Sequence, residues 1–352
     1  MYIVLAILLF GILVFVHELG HFMAARACDV KVEEFAIGMG PKILKKQGKE
    51  TLYSLRLFPF GGFCAMVGED EEVEDPRSFS SKRPWQKVII LFAGAAMNFI
   101  FGFLMILLVF SFTKVATPTI TDAYDTCPYI AADKLHEGDL FYKVDGHRIY
   151  SRNNFVTFMS RSGDDYHDIV VVRDGEKILF KDFYMPLVEY KMDDGTTELK
   201  YGITIAAVQT GVGVTLQYSW YQSIDFVRTV WMSLGDLVTG TVGLRDLSGP
   251  VGIVDVVSQA ADEAEDTSSA VLYVIYIFAL IAVNLAVMNL LPIPALDGGK
   301  IFFLIITLII ERITRKKLDP KYEGYINSAC FVLLMGLMVV VLFSDVAKII
   351  MR

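Results

Sequence analysis

Two histidines four residues apart form the strongest chemical signal in the chain, in the run His17-Glu18-Leu19-Gly20-His21. On a helix, residues i and i+4 lie on the same face, so both imidazoles can bind one metal ion. The pattern H-E-x-x-H is typical of hydrolytic zinc sites, in which the glutamate acts as general base. We therefore predict that His17 and His21 bind Zn²⁺ and that Glu18 is catalytic.

A catalytic zinc site usually has three protein ligands and one open position. The best candidate for the third ligand is Asp297, which ends the apolar stretch 270–296. Pro292 and Pro294 should break the helix just before it, and Gly298 and Gly299 allow another backbone to approach closely. An unwound segment at membrane depth is tolerated only where it lines a cavity, which suits a ligand to a buried metal.

Other polar residues in the apolar stretches are predicted to contact the substrate or to join helices. Asn289 lies two helical turns before Asp297 and is predicted to contact the substrate backbone. Asn98 and Asn284 could instead bond neighbouring helices, since buried amides often join helices within membranes. Glu311 is a weaker alternative for the third metal ligand.

The elements that carry these residues are membrane helices. Of the 352 residues, 54% are hydrophobic and 20% charged, compared with about 45–50% and about 25% in soluble domains. A spanning helix needs about 20 apolar residues. The uncharged stretches 88–112 and 270–296 satisfy this, 325–343 is just long enough, and 1–16 does so if its helix continues to about residue 25. We predict a polytopic α-helical membrane protein with four transmembrane helices. The net charge of −8 argues against nucleic-acid binding.

Charge predicts the orientation. Segments 22–87 and 298–324 are rich in Lys and Arg, whereas 117–269 is acidic. The basic segments should be cytoplasmic, the acidic one and both termini extracytoplasmic. At about 1.5 Å per residue, His17 would lie about 24 Å into a ~30 Å hydrocarbon core, near its cytoplasmic side. A cleaved signal peptide is the alternative for the first stretch, but its basic residues follow the apolar run instead of preceding it.

Four further segments have recognisable patterns. Residues 51–67 read as a β-hairpin with its turn at 59–62, and 301–310 as a short re-entrant or buried helix. Residues 117–205 contain strand-sized apolar runs and Asp-Gly turns at 145, 174 and 194, which predict a small, mainly β domain. Residues 214–261 read as amphipathic helix on the outer membrane face. The three histidines of the acidic segment are predicted to lie on the surface, and the four cysteines to be packing residues.

Taken together, these motifs resemble the site-2 protease family of intramembrane zinc metalloproteases, and most closely the bacterial RseP-type branch. The resemblance is carried by 17–21, by 289–299 and by the run 248–253, whose sequence is SGPVGI. Residues 137–149 resemble a PDZ core, and 51–67 resemble the family's membrane-associated hairpin. Two departures are a single PDZ-sized insert, where the best-known members have two, and Ala95, where the family often has proline.

The resemblance implies a domain order: transmembrane helices 1–2 with the cytoplasmic-side hairpin in 1–116, an extracytoplasmic PDZ-like domain in 117–210, membrane-surface helices in 211–269 and transmembrane helices 3–4 in 270–352. It also implies a bacterial cell membrane enzyme that cleaves transmembrane segments of previously trimmed single-pass proteins, such as anti-sigma factors or signal-peptide remnants, in regulated intramembrane proteolysis. Gly61 and Gly62 of the hairpin are expected to help bind the unwound substrate.

Two other classes of function stay open at this point. A membrane metal transporter could also use an intramembrane His/Asp cluster, although its polar groups should follow a path and not gather at one depth. An inactive PDZ-bearing scaffold would leave the intact H-E-x-x-H pattern unexplained.

Overall fold

The computed structural model describes residues 2–69, 73–113, 115–124, 127–131, 134–191, 196–209, 211–243, 249, 252, 266–315 and 321–350. The fold divides into two compact units, the first formed by Met1–Val109 and Phe226–Arg352 and the second by Phe110–Asp225. The helices are α1 (Tyr2–Ala27), α2 (Pro84–Phe112), α3 (Pro128–Ala131), α4 (Arg152–Ser162), α5 (Val212–Thr239), α6 (Thr267–Asn289), α7 (Asp297–Thr314) and α8 (Lys321–Ile350). The strands are β1 (Val32–Gln47), β2 (Leu52–Met66), β3 (Val115–Ala123), β4 (Leu140–Val144), β5 (His147–Arg148), β6 (Tyr166–Arg173), β7 (Glu176–Tyr184), β8 (Val188–Lys191), β9 (Thr197–Lys200) and β10 (Ile203–Gln209).

Four helices of the described chain are long and apolar enough to cross a membrane. Their candidate spans are Leu8–Ala27, Pro84–Phe112, Thr267–Asn289 and Gly324–Val341. This architecture, together with a separate β-rich region, is that of a polytopic membrane protein. The third predicted span, 270–296, is too long at its end, because α6 ends at Asn289.

The junction between α6 and α7 is built around the two prolines and two glycines of the predicted break. Residues 290–296 form turns, and α7 begins at Asp297. A Cβ at Gly298 would lie 2.4 Å from the Leu290 carbonyl oxygen, and one at Gly299 would lie 2.2 Å from that of Ile293. Only glycine lets the turn fold back this closely onto the first turn of α7. The short helix predicted over 301–310 lies within α7, which extends further in both directions and leaves several of its apolar side chains exposed.

The first unit also contains a small sheet. β1 pairs antiparallel with β2 through several register shifts, and residues 34–37 have partners at both 52–55 and 62–65. The two runs of β2 therefore lie on opposite sides of β1 and pair with it, not with each other. The hairpin predicted over 51–67, in which its two strands pair with each other, is therefore wrong. Both runs pair instead with residues of 32–47, a long-range partner that the local sequence does not reveal. Positive φ angles at Gly38, Gly40 and Gly61 allow the sharp bends that this path needs.

The second unit contains a six-stranded sheet in the order β10-β3-β4-β6-β7, with β5 added beside β4. Asp145-Gly146 and Asp174-Gly175 turn the chain between β4 and β5 and between β6 and β7, and all four residues have positive φ. Such turns suit the twist of a hairpin, so these two predictions are confirmed. The third predicted turn, at 194, lies outside the described residues, as does the run 248–253 except for Gly249 and Gly252. α5 covers the first part of the predicted helical segment 214–261, and residues 253–261 at its end are not described.

The second unit contains two polar pairs in which one partner is buried and the other is partly exposed. Asp139 is fully buried and forms a bidentate ion pair with Arg173, with N–O distances of 2.7 Å. His167 is also buried, and its Nδ1 lies 2.9 Å from Oδ2 of Asp145. The surface position predicted for the outer histidines is therefore wrong for His167, because this residue lies on the buried face of β6.

Candidate metal centre

The last turns of α1 place both histidines of the sequence motif on one face. The two Nε2 atoms, of His17 and His21, lie 3.2 Å apart. Oδ2 of Asp297, the first residue of α7, lies 3.3 Å from each of them. Among the described residues, these three are the group whose ligand atoms could hold a metal ion. Glu311, the weaker alternative, lies near the opposite end of α7 and is not part of it.

The spacing of the three atoms fits a tetrahedral zinc ion. Ligands about 2.0–2.1 Å from a tetrahedral centre are separated from each other by about 3.3 Å. Oδ2 of Asp297 is buried and has no hydrogen-bond partner, which is costly unless a cation compensates for it. Two imidazole nitrogens and a carboxylate oxygen are a ligand set that zinc prefers.

Residues of α2 contact the rings of both histidines. The backbone carbonyl of Ile90 lies 2.9 Å from Nδ1 of His21, and the side-chain amide of Asn98 lies 3.3 Å from Nδ1 of His17. Between them, Gly94 leaves room for both rings, since a Cβ there would lie 2.4 Å from Nε2 of His21. Asn98 thus joins two helices, as buried amides often do in membranes. The sequence pattern alone did not reveal the role of Gly94.

A cavity of about 470 Å³ lies in front of the three ligand atoms. Glu18 and Asn289 both line it, beside residues 63–66 of β2 and residues 295–297. The amide nitrogen of Asn289 is 3.4 Å from Nδ1 of His17. Lys300 and Glu69 also line the cavity and form an ion pair of 2.6 Å. A carboxylate next to the three ligand atoms, with space for a peptide in front, is what metal-assisted hydrolysis requires.

The two glycines predicted to bind substrate lie just before the part of β2 that lines the cavity. Gly62 packs against the general-base candidate, since a Cβ there would lie 3.2 Å from Cγ of Glu18 and 2.9 Å from the carbonyl oxygen of Ala36. Gly61 has φ +83° and contacts Met39. A direct substrate contact of Gly61 and Gly62 stays a prediction.

Comparison with known proteins identifies the family of this chain. The sequence model of peptidase family M50 matches residues 5–337. The chain belongs to peptidase family M50. It is 35% identical over 348 residues to a Clostridium perfringens protein that carries a zinc metalloprotease name, covering 98% of each chain. It is 28% identical to the zinc metalloprotease RasP of Bacillus licheniformis, covering 97% of this chain and 98% of the relative.

A third relative, the regulator of sigma-W protease RasP of Bacillus subtilis, is 27% identical and is covered over 97% of both chains. As a member of family M50, the chain is a zinc metalloprotease of the site-2 protease type, and zinc is its cofactor. The resemblance and the zinc predicted from sequence are confirmed. Membership of family M50 also favours an enzyme over the two other classes of function left open by the sequence, a membrane metal transporter and an inactive scaffold.

Proposed function

We propose that this protein cleaves peptide bonds inside membrane-spanning segments, with zinc bound by His17, His21 and Asp297. The observation that carries the proposal is the mutual spacing of 3.2–3.3 Å among three buried or half-buried ligand atoms. Two of them lie on a candidate spanning helix, and the third follows the break after another such helix. Ionisable groups at membrane depth are costly and are therefore retained mainly for function.

Glu18 is proposed as the general base. Zinc bound by these residues would lower the pKa of a coordinated water and polarise the substrate carbonyl. Glu18 lines the same cavity as the ligands without being one of them. From there its carboxylate accepts a proton from the attacking water and later returns the proton to the leaving amine, which is the usual dual role of a general base in hydrolysis.

The substrate is proposed to bind as an unwound strand, because a helix hides its backbone amides. Residues 63–66 of β2 line the cavity, and in the described part of the chain the backbone partners of 62–65 all lie at 34–37 of β1. The other edge of this run is thus available for strand addition by the substrate. Asn289, which lines the same cavity, has an amide that can bond the substrate backbone. Gly61 and Gly62 give this strand its close approach to the site.

The biological substrates are proposed to be single-pass membrane proteins that another protease has already trimmed, such as anti-sigma factors or signal-peptide remnants, in regulated intramembrane proteolysis. One relative's name refers to regulation of sigma-W. We place the protein in the bacterial cell membrane with both termini extracytoplasmic, the site near the cytoplasmic side, a PDZ-like domain in 117–210 and membrane-surface helices within 211–269. The distribution of charge supports this orientation.

The decisive experiment is Glu18→Gln in the full-length protein, with zinc content and cleavage of a transmembrane test substrate measured on the same sample. We expect one zinc per chain and a loss of activity of about 10²–10⁴-fold, because glutamine keeps the shape of glutamate but cannot accept the proton. Near-normal cleavage with a full complement of zinc would remove Glu18 as the base. Asp297→Ala should lose most of the zinc, and comparing trimmed with untrimmed forms of one substrate tests the proposed preference.

A further inference from the structure

Asn98 is a fully buried amide that the hydrolysis itself does not require. It lies on α2, with Nδ2 placed 3.3 Å from Nδ1 of His17. Its Oδ1 is buried without a hydrogen-bond partner. A buried polar atom left unpaired costs about 1–3 kcal/mol, so a protein interior rarely keeps one without a purpose.

The chemistry of His17 explains the unpaired oxygen. Nε2 of His17 faces the other two ligand atoms, and a neutral imidazole that binds a metal through Nε2 carries its hydrogen on Nδ1. That N–H needs an acceptor, which an amide nitrogen cannot be. Rotating the Asn98 amide by half a turn exchanges its nitrogen and oxygen within the same volume. The amide oxygen then stands where the Nδ1 hydrogen needs it.

We propose that Asn98 is a positioning residue for zinc binding, whose amide oxygen accepts the Nδ1 hydrogen of His17 and holds the ring with Nε2 towards the metal. The proposal rests on the ligand set of the proposed function. His21 has the equivalent arrangement, because its Nδ1 lies 2.9 Å from the carbonyl oxygen of Ile90. One helix would therefore orient both histidine ligands, with a backbone acceptor for one and a side-chain acceptor for the other.

Asn289 is the competing acceptor, and its geometry is less suitable. Its amide nitrogen lies 3.4 Å from Nδ1 and 3.5 Å from Nε2 of His17, so it faces both ring nitrogens without favouring one. Asn289 also lines the substrate cavity, while Asn98 does not. This leaves Asn289 available to the substrate and Asn98 to the ligand.

The test is zinc affinity of the full-length protein in detergent, measured by competition with a chelator. Asn98→Leu keeps the size of the side chain but removes the acceptor, and we expect its zinc affinity to fall about 10–100-fold. Asn98→Asp keeps an acceptor and should stay within a few-fold of the parent. Asn284→Leu, the same change at an exposed amide on α6, is the matched control and should bind as the parent does.

If Asn98 has a purely structural role, the order of the two zinc affinities should be reversed, with Asn98→Asp binding more weakly than Asn98→Leu. The reason is that leucine suits an apolar interior better than aspartate does. Parent-like affinity of Asn98→Leu, or equal losses in Asn98→Leu and Asn98→Asp, would overturn the proposal. Asn98→Ala serves the same purpose if the leucine variant does not fold. His17→Ala distinguishes the proposed role of Asn98 from the proposed ligand set. If His17→Ala loses zinc and Asn98→Leu does not, only the role of Asn98 is refuted. If His17→Ala keeps its zinc, the ligand set itself is refuted.

Discussion

Gly94 of α2 lies directly against the ring of His21, so closely that any side chain there would displace the ring. A Cβ at this position would be 2.4 Å from Nε2 and 2.7 Å from Cε1 of His21, and 2.8 Å from Cε1 of His17. Real Cβ atoms essentially never come closer than 3.0 Å to another heavy atom. The glycine therefore lets both rings keep the positions that the proposed metal centre needs.

Gly94→Ala is expected to reduce zinc affinity by about tenfold or more, because the rings of both histidines must move away from the position of the bound zinc. The measurement is zinc per chain after dialysis against a weak chelator. Gly102→Ala is the matched control, since its Cβ would crowd Val283 and Ala279 on α6 about 12 Å further along the helix. It should lower thermal stability but keep the zinc. Equal zinc loss in both variants would show that Gly94 acts only through packing.

The Lys300–Glu69 ion pair is expected to hold the first turn of α7, and with it Asp297, against the wall formed by β2. Lys300→Met or Glu69→Gln should each lower activity a few-fold, because partly exposed pairs of this kind are worth about 0.2–1 kcal/mol. The double exchange Lys300→Glu with Glu69→Lys should recover part of the loss. A double-mutant cycle on kcat/KM measures this coupling, and strictly additive effects would contradict it.

Glu34 gives the sheet of β1 and β2 a dependence on pH. Partial burial raises the pKa of Glu34, but hydrogen bonds from Ser54, Lys42 and Arg56 outweigh it and bring the pKa to about 2. Because the pKa is lower in the folded state, the stabilisation is present above about pH 4.5 and is lost as the pH falls towards 2.

We therefore expect Glu34→Gln to be less stable than the parent at pH 6, on the order of 1–2 kcal/mol after allowing for solvent screening. The difference should narrow steadily below pH 4.5. Thermal unfolding in detergent at several pH values measures it. A constant difference from pH 6 to pH 3 would mean that the Glu34 network does not change its protonation in this range.

The proposed orientation can be tested with single cysteines at exposed positions. Lys46→Cys on β1 should react with an impermeant thiol reagent only from the cytoplasm, and Asp165→Cys only from outside, because the surrounding segments differ in charge. The parent protein is the control, since its own four cysteines are buried or half-buried. Labelling of residue 46 from outside would reverse the orientation.

Sequence alone determined the features whose cause is local. The spacing of His17 and His21 places both on one helix face because of helix periodicity. Pro292 and Pro294 predict the end of α6 because proline cannot continue a helix. The Asp-Gly turns follow from the positive φ angles that these residues accept.

Only the tertiary structure decided which distant residues meet these local features. The pairing of both runs of β2 with β1, in place of a local hairpin, depends on long-range register, which has no local signature. Likewise, the contact of Gly94 and Asn98 with the histidines depends on how α2 is rotated against α1. The two helices pack closely here, since a Cβ on Gly20 would lie 2.4 Å from the Ala93 carbonyl oxygen. In an apolar helix many faces look equivalent in sequence, and close packing alone selects the one that faces the two histidines.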